Sequence, residues 1–362
     1  MSGSAAPGTR CVAERVVQYT TPGALPAAAH GLLGQDAFST EAWFEATLLA
    51  GLPEGAAGCF QVVSQGEAVS ALLAMRRDAG RLSALTTPYT CLWRPLLAPG
   101  ADPKLVGRAL AGLWRRGGIV RLDCLPDDPA LAGLFAGLRE RGLFVLPFHH
   151  FGNWHLDLGG MGWADYVASR PGQLRSAIGR HTNRLMGKEG AIFTLTQNAD
   201  GLVEAIAAYE HVYARSWKQA EPQPHFNAAL MRACAADGTL RLGIIRLGGT
   251  PIAAQFWLVH GRWAAVLKLA YDEAARKLAP GNVLTALMIR RLMEQDGVRT
   301  IDFGRGDDDY KVQWTGERRQ RVGALVVNPL TLSGFTEILK RKGKDFFFTK
   351  KKQKTLVRAV AD

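Results

Sequence analysis

Asp302 closes a short apolar run, Val298-Arg299-Thr300-Ile301-Asp302. That is the kind of strand end where an α/β sheet opens into a crevice. A carboxylate partly buried there loses hydration, its pKa rises, and it gains competence as a general base. The same position also lets Asp302 cap the following Gly304-Arg305-Gly306 turn as a structural acceptor. Asp307, on that turn, is the rival acid. Lys268 stands inside a second apolar run, Trp263-Ala264-Ala265-Val266-Leu267-Lys268-Leu269-Ala270-Tyr271. An ammonium buried alone there is costly, so Lys268 either points to solvent on an alternating strand or faces an anionic ligand. Arg180, Arg184 and Lys188 recur at i, i+4 and i+8, with Arg175 before them. On a helix they form one stripe, either a solvated basic face or a grip on phosphate.

These residues need a scaffold, and the chain repeats one. Gly66-Glu67-Ala68-Val69-Ser70-Ala71-Leu72-Leu73-Ala74-Met75 parallels Gly249-Thr250-Pro251-Ile252-Ala253-Ala254-Gln255-Phe256-Trp257-Leu258, a turn followed by an apolar strand. Arg81 and Arg262 open the next runs, and Ala98-Pro99-Gly100 and Ala279-Pro280-Gly281 follow, both pairs offset by 181 residues. Each copy continues with a helical pattern (105–116; 283–295), a strand holding an aspartate (119–123; 298–302) and an acidic turn. Each begins with a helix (40–49; 202–217) and two antiparallel strands (59–64 with 68–75; 240–246 with 251–260), turned by Gln65-Gly66 and Gly248-Gly249. Strands flank a crossover helix, so each sheet is mixed. The period is too long for a solenoid. The expectation is an α/β protein of two related halves, residues 12–158 and 159–331, with a basic C-terminal helical tail over 332–362.

The chain has 362 residues, 48% hydrophobic and 21% charged, which excludes a mostly disordered polymer and favours two domains. No uncharged apolar run is long enough to predict a transmembrane helix, and the first residues lack a secretory pattern. The five cysteines are scattered and the histidines lack a carboxylate pattern, so no metal site is expected; reduced thiols fit a cytoplasmic protein. There is no Walker loop, dinucleotide fingerprint or zinc finger. Residues 331–362 hold nine Lys/Arg against three acids, +6 of the chain's net +12. Such a block is a solvated tail or a contact for nucleic acid or an anionic membrane, here on a helix with Phe335, Ile338 and Leu339 on one side.

The order of elements resembles the GNAT acyltransferase fold, and the second copy resembles its FemAB-like branch, including the CelD-type acetyltransferase domain linked to bacterial exopolysaccharide synthesis. Ser216-Trp217-Lys218 is similar to that family's Ser-x-Trp-Lys or Arg-x-x-Trp-Lys helix end, and Gly249-Thr250-Pro251-Ile252-Ala253 to its Gly-x-Pro-Ile-Ala strand. Lys268-Leu269-Ala270-Tyr271-Asp272 through Pro280-Gly281 resembles its Lys-x-Ala-Tyr-Asp…Pro-Gly stretch. Asp302-Phe303-Gly304-Arg305-Gly306-Asp307 and Tyr310-Lys311-Val312-Gln313-Trp314 resemble its closing motifs. The likeness covers about residues 165–320, whereas the first copy lacks Tyr-Lys-x-x-Trp and the Gly-x-Gly turn and reads as a degenerate GNAT-like half.

The resemblance implies direct acyl transfer in a ternary complex, with acyl-CoA or an acyl carrier protein as donor and no permanently bound cofactor. The acceptor would be an amine or hydroxyl on a sugar, polysaccharide or envelope-lipid precursor. Lys311 would offset charge on the donor or oxyanion, with Tyr310, or Tyr271, protonating the leaving thiolate. The donor pyrophosphate would lie at the helix entry Lys277-Leu278-Ala279-Pro280-Gly281-Asn282, with Arg276 and Lys277 adding charge. This entry departs from the usual Gln/Arg-x-x-Gly-x-Gly/Ala loop. Lys268 and Tyr271 are placed with the donor; Trp217, Lys218, Trp314, Arg180 and Arg184 with the acceptor. The alternatives are aminoacyl transfer from tRNA to a peptidoglycan bridge, although no helical-hairpin insert is found, and a non-catalytic tandem scaffold. The protein is expected in the cytoplasm, with peripheral membrane contact through its tail.

Overall fold

The computed structural model of the chain describes residues 14–306 and 308–341. The first half runs β1 (Glu14–Tyr19), α1 (Ala27–His30), α2 (Glu41–Ala46), β2 (Ala57–Gln65), β3 (Ala68–Asp78), β4 (Arg81–Ala84), β5 (Leu96–Leu97), α3 (Pro103–Trp114), β6 (Ile119–Leu125), α4 (Pro129–Glu140) and β7 (Phe144–Asp157). The second runs α5 (Trp163–Ala168), α6 (Gly172–Thr182), β8 (Ile192–Thr196), α7 (Leu202–Ala214), α8 (Phe226–Ala236), β9 (Leu240–Leu247), β10 (Thr250–His260), β11 (Trp263–Tyr271), α9 (Pro280–Glu294), β12 (Thr300–Arg305), α10 (Asp309–Trp314) and β13 (Glu317–Val327). Residues 332–341 are helical.

Among the described residues, all the strands join one mixed sheet of 13, ordered β1-β2-β3-β4-β6-β13-β7-β12-β11-β10-β9-β8, with β5 beside β3. Read inward from either end, the order is the same: a run of antiparallel neighbours, then one parallel pair, β4 with β6 or β11 with β12. The expected pair of related halves is present, but the two sheets are fused. The last strand of each half has crossed over: β7 pairs with β12, and β13 pairs with β6. β7 and β13 also pair antiparallel with each other, from Phe144↔Val327 to His155↔Glu317. A boundary near residue 158 therefore divides the sequence but not the sheet.

Local chemistry explains the repeated parts. Both positions of the Gly248-Gly249 turn have positive φ, 55° and 82°, the geometry of a tight hairpin between Leu247 and Thr250. β10 is buried along most of its length, as a strand covered on both faces requires. α3 starts at Pro103, with the Asp102 carboxylate accepting from the Lys104 N–H at 2.8 Å. Helices α3 and α4 cover one core on one face of the first half, and α5, α6 and α9 cover another on the second. On the opposite face α2, α7 and α8 share a single core drawn from both halves, where Trp43 meets Phe226 edge-on.

The two Ala-Pro-Gly loops both lie between the third strand and the crossover helix, yet they are not equivalent residue by residue. Pro280 is the first residue of α9, whereas Pro99 precedes α3, which begins at Pro103. In the first half Ala98 is still tied to the sheet, its N–H donating to the Ser70 carbonyl, so the helix starts later. The arginine stripe also differs from expectation. α6 ends at Thr182 and residues Asn183–Lys188 wind as a π-helix, which shifts Arg184 and Lys188 off an α-helical spacing. Among the described residues, no helix is long and apolar enough to cross a membrane.

Candidate active site

β11 and β12 pair in parallel at Trp263↔Thr300, Ala264↔Ile301 and Ala265↔Asp302, and beyond these positions they part. Gly304 holds the bend on the β12 side at φ 76°, and a Cβ there would come within 3.2 Å of the Val266 carbonyl oxygen. Both the positive φ and the close approach call for glycine. The gap is a cavity of about 340 Å³ walled by Val266, Lys268, Gly304, Arg305, Lys311 and Lys218. A second cavity of about 350 Å³ lies toward the start of α9, with Tyr271, Arg276, Gly281 and Asn282 in its wall. Trp217, Leu269 and Tyr310 line both cavities, so the two adjoin at these side chains.

Lys311 is buried, 4% exposed, and its ammonium is fixed. Nζ donates to the Arg305 carbonyl at 2.6 Å and lies 2.8 Å from the Asp308 carboxylate. Beside it, Tyr310 has its phenol pushed above the usual range by burial and then by Asp308, so the hydroxyl stays protonated. Lys268 does not point to bulk solvent: it pairs with Glu221 at 2.5 Å and sits 4.3 Å from the Tyr89 ring centre. Burial of Glu221 works to raise its pKa, but hydrogen bonds from Lys268, Tyr213 and Tyr89 outweigh this and hold it below the ordinary carboxylate range. Trp217 packs on Tyr271 with ring centres 4.5 Å apart.

Asp302 departs from the expected partly buried base at the crevice and matches the other reading, a structural acceptor for the Gly304 turn. It is fully buried and absent from both cavity walls. Oδ1 accepts from Asn153 Nδ2 and the Gly304 N–H, each at 2.7 Å, and Oδ2 from Arg319 at 2.7 Å, with Arg321 at 3.7 Å. With three hydrogen bonds to its two oxygens and no place in either cavity wall, it is the acceptor that fixes the Gly304 turn and ties β12 to β7 and β13. Trp314 is also not a wall of the site. It is 1% exposed in the second-half core, its carbonyl accepting from Tyr166 and Arg170. Arg180, Arg184 and Lys277 are exposed and line neither cavity. Asp307 lies outside the described residues.

The α9 entry is less open than a phosphate cradle. Ala279 adopts a left-handed conformation at φ 50°, Pro280 has no N–H, and the Asn282 N–H turns back to the Ala279 carbonyl. Gly281 is needed for packing, since a Cβ would meet the Tyr271 ring at 3.0 Å.

Several wall residues were not reached from the sequence. Pro88, Tyr89 and Cys91 come from the first half, on the stretch between β4 and β5. Arg305 clamps that stretch, donating to the Pro88 carbonyl at 3.0 Å while lying over Phe151. The available signal was Thr86-Thr87-Pro88-Tyr89-Thr90, which interrupts the repeat and has no counterpart after β11. Burial pushes the Cys124 thiol up to about 12 and moves Cys91 the same way, so both are poor nucleophiles. Among the described residues, no group of three or more His, Cys, Asp or Glu side chains is arranged to hold a metal ion.

The parallel pair β11 and β12 thus parts beside the start of the crossover helix α9. Residues 172–312 match the acetyltransferase (GNAT) domain family. No curated protein matches the chain. Among solved structures, FemX is similar over 81% of this chain and 92% of its own, at 12% identity and TM-score 0.55. A conserved protein of unknown function from Bacteroides thetaiotaomicron is similar over 75% and 86%, at 15% identity and TM-score 0.54. L-PGS from Bacillus licheniformis is similar over 78% and 88%, at 14% identity and TM-score 0.51. At these identities the likeness is one of fold. The GNAT-domain match spans both cavity-bearing strands, whereas Tyr89 and its neighbours reach the site from outside it.

Proposed function

We propose that the protein is an acyltransferase that moves an acyl group from a thioester, acyl-CoA or an acyl carrier protein, to an amine or hydroxyl of a sugar, polysaccharide or envelope-lipid precursor. The observation that carries this reading is the split between β11 and β12, whose two cavities adjoin at Trp217 and Tyr310. The donor enters by the α9 side, past Arg276 and Tyr271, and the acceptor occupies the Lys311 side. The acceptor nitrogen or oxygen attacks the thioester carbon and its proton passes to Asp308, the carboxylate in that wall. The Lys311 ammonium stabilises the oxyanion; the C–S bond then breaks and Tyr310 protonates the sulfur. A CelD-type role in exopolysaccharide synthesis is one form of this reading.

The folded-back α9 entry favours a second form, aminoacyl transfer from tRNA, because it offers few open N–H groups to a pyrophosphate. Calorimetry with CoA, paired with a thiol-release assay over acetyl to long-chain acyl-CoAs and amino-sugar or long-chain amine acceptors, separates the two. Saturable CoA binding and acceptor-dependent thiol release are expected. No CoA binding, with aminoacyl transfer from charged tRNA, would replace the first form by the second.

We also propose that helix 332–341 rests on an anionic membrane face. Leu332, Phe335 and Leu339 are 82%, 53% and 52% exposed along one stripe, while Ile338 is partly buried rather than on that outer side. The basic residues from Lys340 onward complement acidic headgroups, at about 1 kcal/mol each near such a surface. The rest of the expected tail helix lies outside the described residues. Phosphatidylglycerol vesicles should pellet the protein at low salt, and the double variant Phe335→Glu, Leu339→Glu should stay in the supernatant. Equal pelleting of both proteins at low and high salt would end this proposal.

A further inference from the structure

Four cations line the cavity between β11 and β12: Lys218, Lys268, Arg305 and Lys311. Three of them are already engaged. Lys268 holds Glu221, Lys311 holds Asp308 and the Arg305 carbonyl, and Arg305 is spent on the Pro88 carbonyl and His150. Lys218 differs. Among the described residues no carboxylate lies within ion-pair distance of its Nζ, and its nearest recorded partner is the Trp217 ring at 5.8 Å. Among the described residues, the carboxylates set against these four cations are Glu221 and Asp308, each already paired. Lys218 is half-buried; a positive charge partly withdrawn from water without a counterion is disfavoured, and a ligand that brings the counterion removes that cost.

Resting on the acyl-acceptor reading of this cavity, we infer that Lys218 is an anion-binding residue: the acceptor carries a phosphate or carboxylate group that pairs with the Lys218 ammonium while its nucleophile faces Lys311 and Tyr310. The position supports this. Lys218 follows Trp217, whose indole lies at the junction of the two cavities, so an anion held here leaves the rest of the molecule directed at the donor side. Burial, then the charge of Lys268, lowers the Lys218 pKa from its usual value, and the more distant charges of Glu221 and Asp308, each held by another lysine, only partly offset this. The acceptor class is thereby narrowed from any amine or alcohol to an anionic one, such as a phosphorylated sugar, a phospholipid headgroup or an amino acid.

The test uses the wild-type full chain and does not require turnover. Trinitrobenzenesulfonate labels neutral amines, and peptide mass spectrometry reads the rate at Lys218 against the exposed lysines. Inorganic phosphate and acetate are the probes, with chloride at matched ionic strength as control. For a single site, a probe at about nine times its dissociation constant should slow Lys218 labelling about tenfold and leave the exposed lysines unchanged. Protection by phosphate alone assigns a phosphate-bearing acceptor, and equal protection by acetate assigns a carboxylate. Calorimetry should show saturable phosphate or acetate binding that is lost in Lys218→Met and kept in Lys218→Arg. Labelling at Lys218 that neither probe slows beyond the chloride control would overturn the inference, whatever the transfer assays show. Protection of Lys218 in a protein that transfers no acyl or aminoacyl group would keep the anion site and remove the acyltransfer reading.

Discussion

Replacing Lys311 by Met should lower turnover by roughly 10²–10³-fold, the size of an oxyanion-donor deletion. Methionine keeps an unbranched stem in the same space and removes the charge together with its hydrogen bonds. The ammonium is held by the Arg305 carbonyl and Asp308, so it needs no reorganisation when a tetrahedral intermediate forms beside it. The stability loss should be small. The Asp308 side chain is 58% exposed and regains water when its partner leaves. The Arg305 carbonyl loses one hydrogen bond, about 1 kcal/mol. The checking experiment pairs steady-state kinetics with a denaturant titration. Turnover within a few-fold of wild type, with the unfolding midpoint also unchanged, would remove Lys311 from the chemistry.

Asp302→Asn should act in the opposite way, chiefly on stability. The carboxylate is fully buried and answers two guanidiniums: Arg319 at 2.7 Å and Arg321 at 3.7 Å. Burial, then repulsion from Arg319, lowers the Arg321 pKa, and the Asp302 charge works against both effects. Removing the anion from a buried pair costs about 3–5 kcal/mol because the cation is left uncompensated. The urea midpoint should fall accordingly, and turnover per native molecule should hold at low temperature. An unmoved midpoint with turnover lost at every pH would instead restore Asp302 as the general base.

These two residues also show how far the sequence could be read. Lys311 and Tyr310 were singled out by a local motif, Tyr-Lys-x-x-Trp, and the contacts of Lys311 are local as well, to Arg305 and Asp308 a few positions away. The hairpins at Gly66 and Gly248-Gly249 were recognisable for the same reason, as local turn chemistry. Asp302 looked like a base because its decisive partner, Arg319, lies on β13, and nothing near Asp302 announces that pairing. Tyr89 and Glu221 meet Lys268 across 132 residues of sequence between the first two, a contact that no periodicity encodes. Trp314 reads as a motif aromatic beside Lys311, yet the short α10 turns it inward under Tyr166. The repeat gave the order of strands within each half, but pairing across halves is a matter of edges seeking partners, and hydrophobic pattern does not choose between them.

The crossing of β7 and β13 has a consequence for the order in which the chain can be completed. β6 ends at Leu125, and its neighbour β13 does not begin until Glu317. During synthesis, the early half must wait with one strand edge uncovered while the intervening chain emerges, about 10–40 s at 5–20 residues per second. An open edge is a template for foreign strands over that interval. Removing residues 317–327 would strip β6 and β7 of their shared neighbour, so a truncated chain should fail in its first half, far in sequence from the cut.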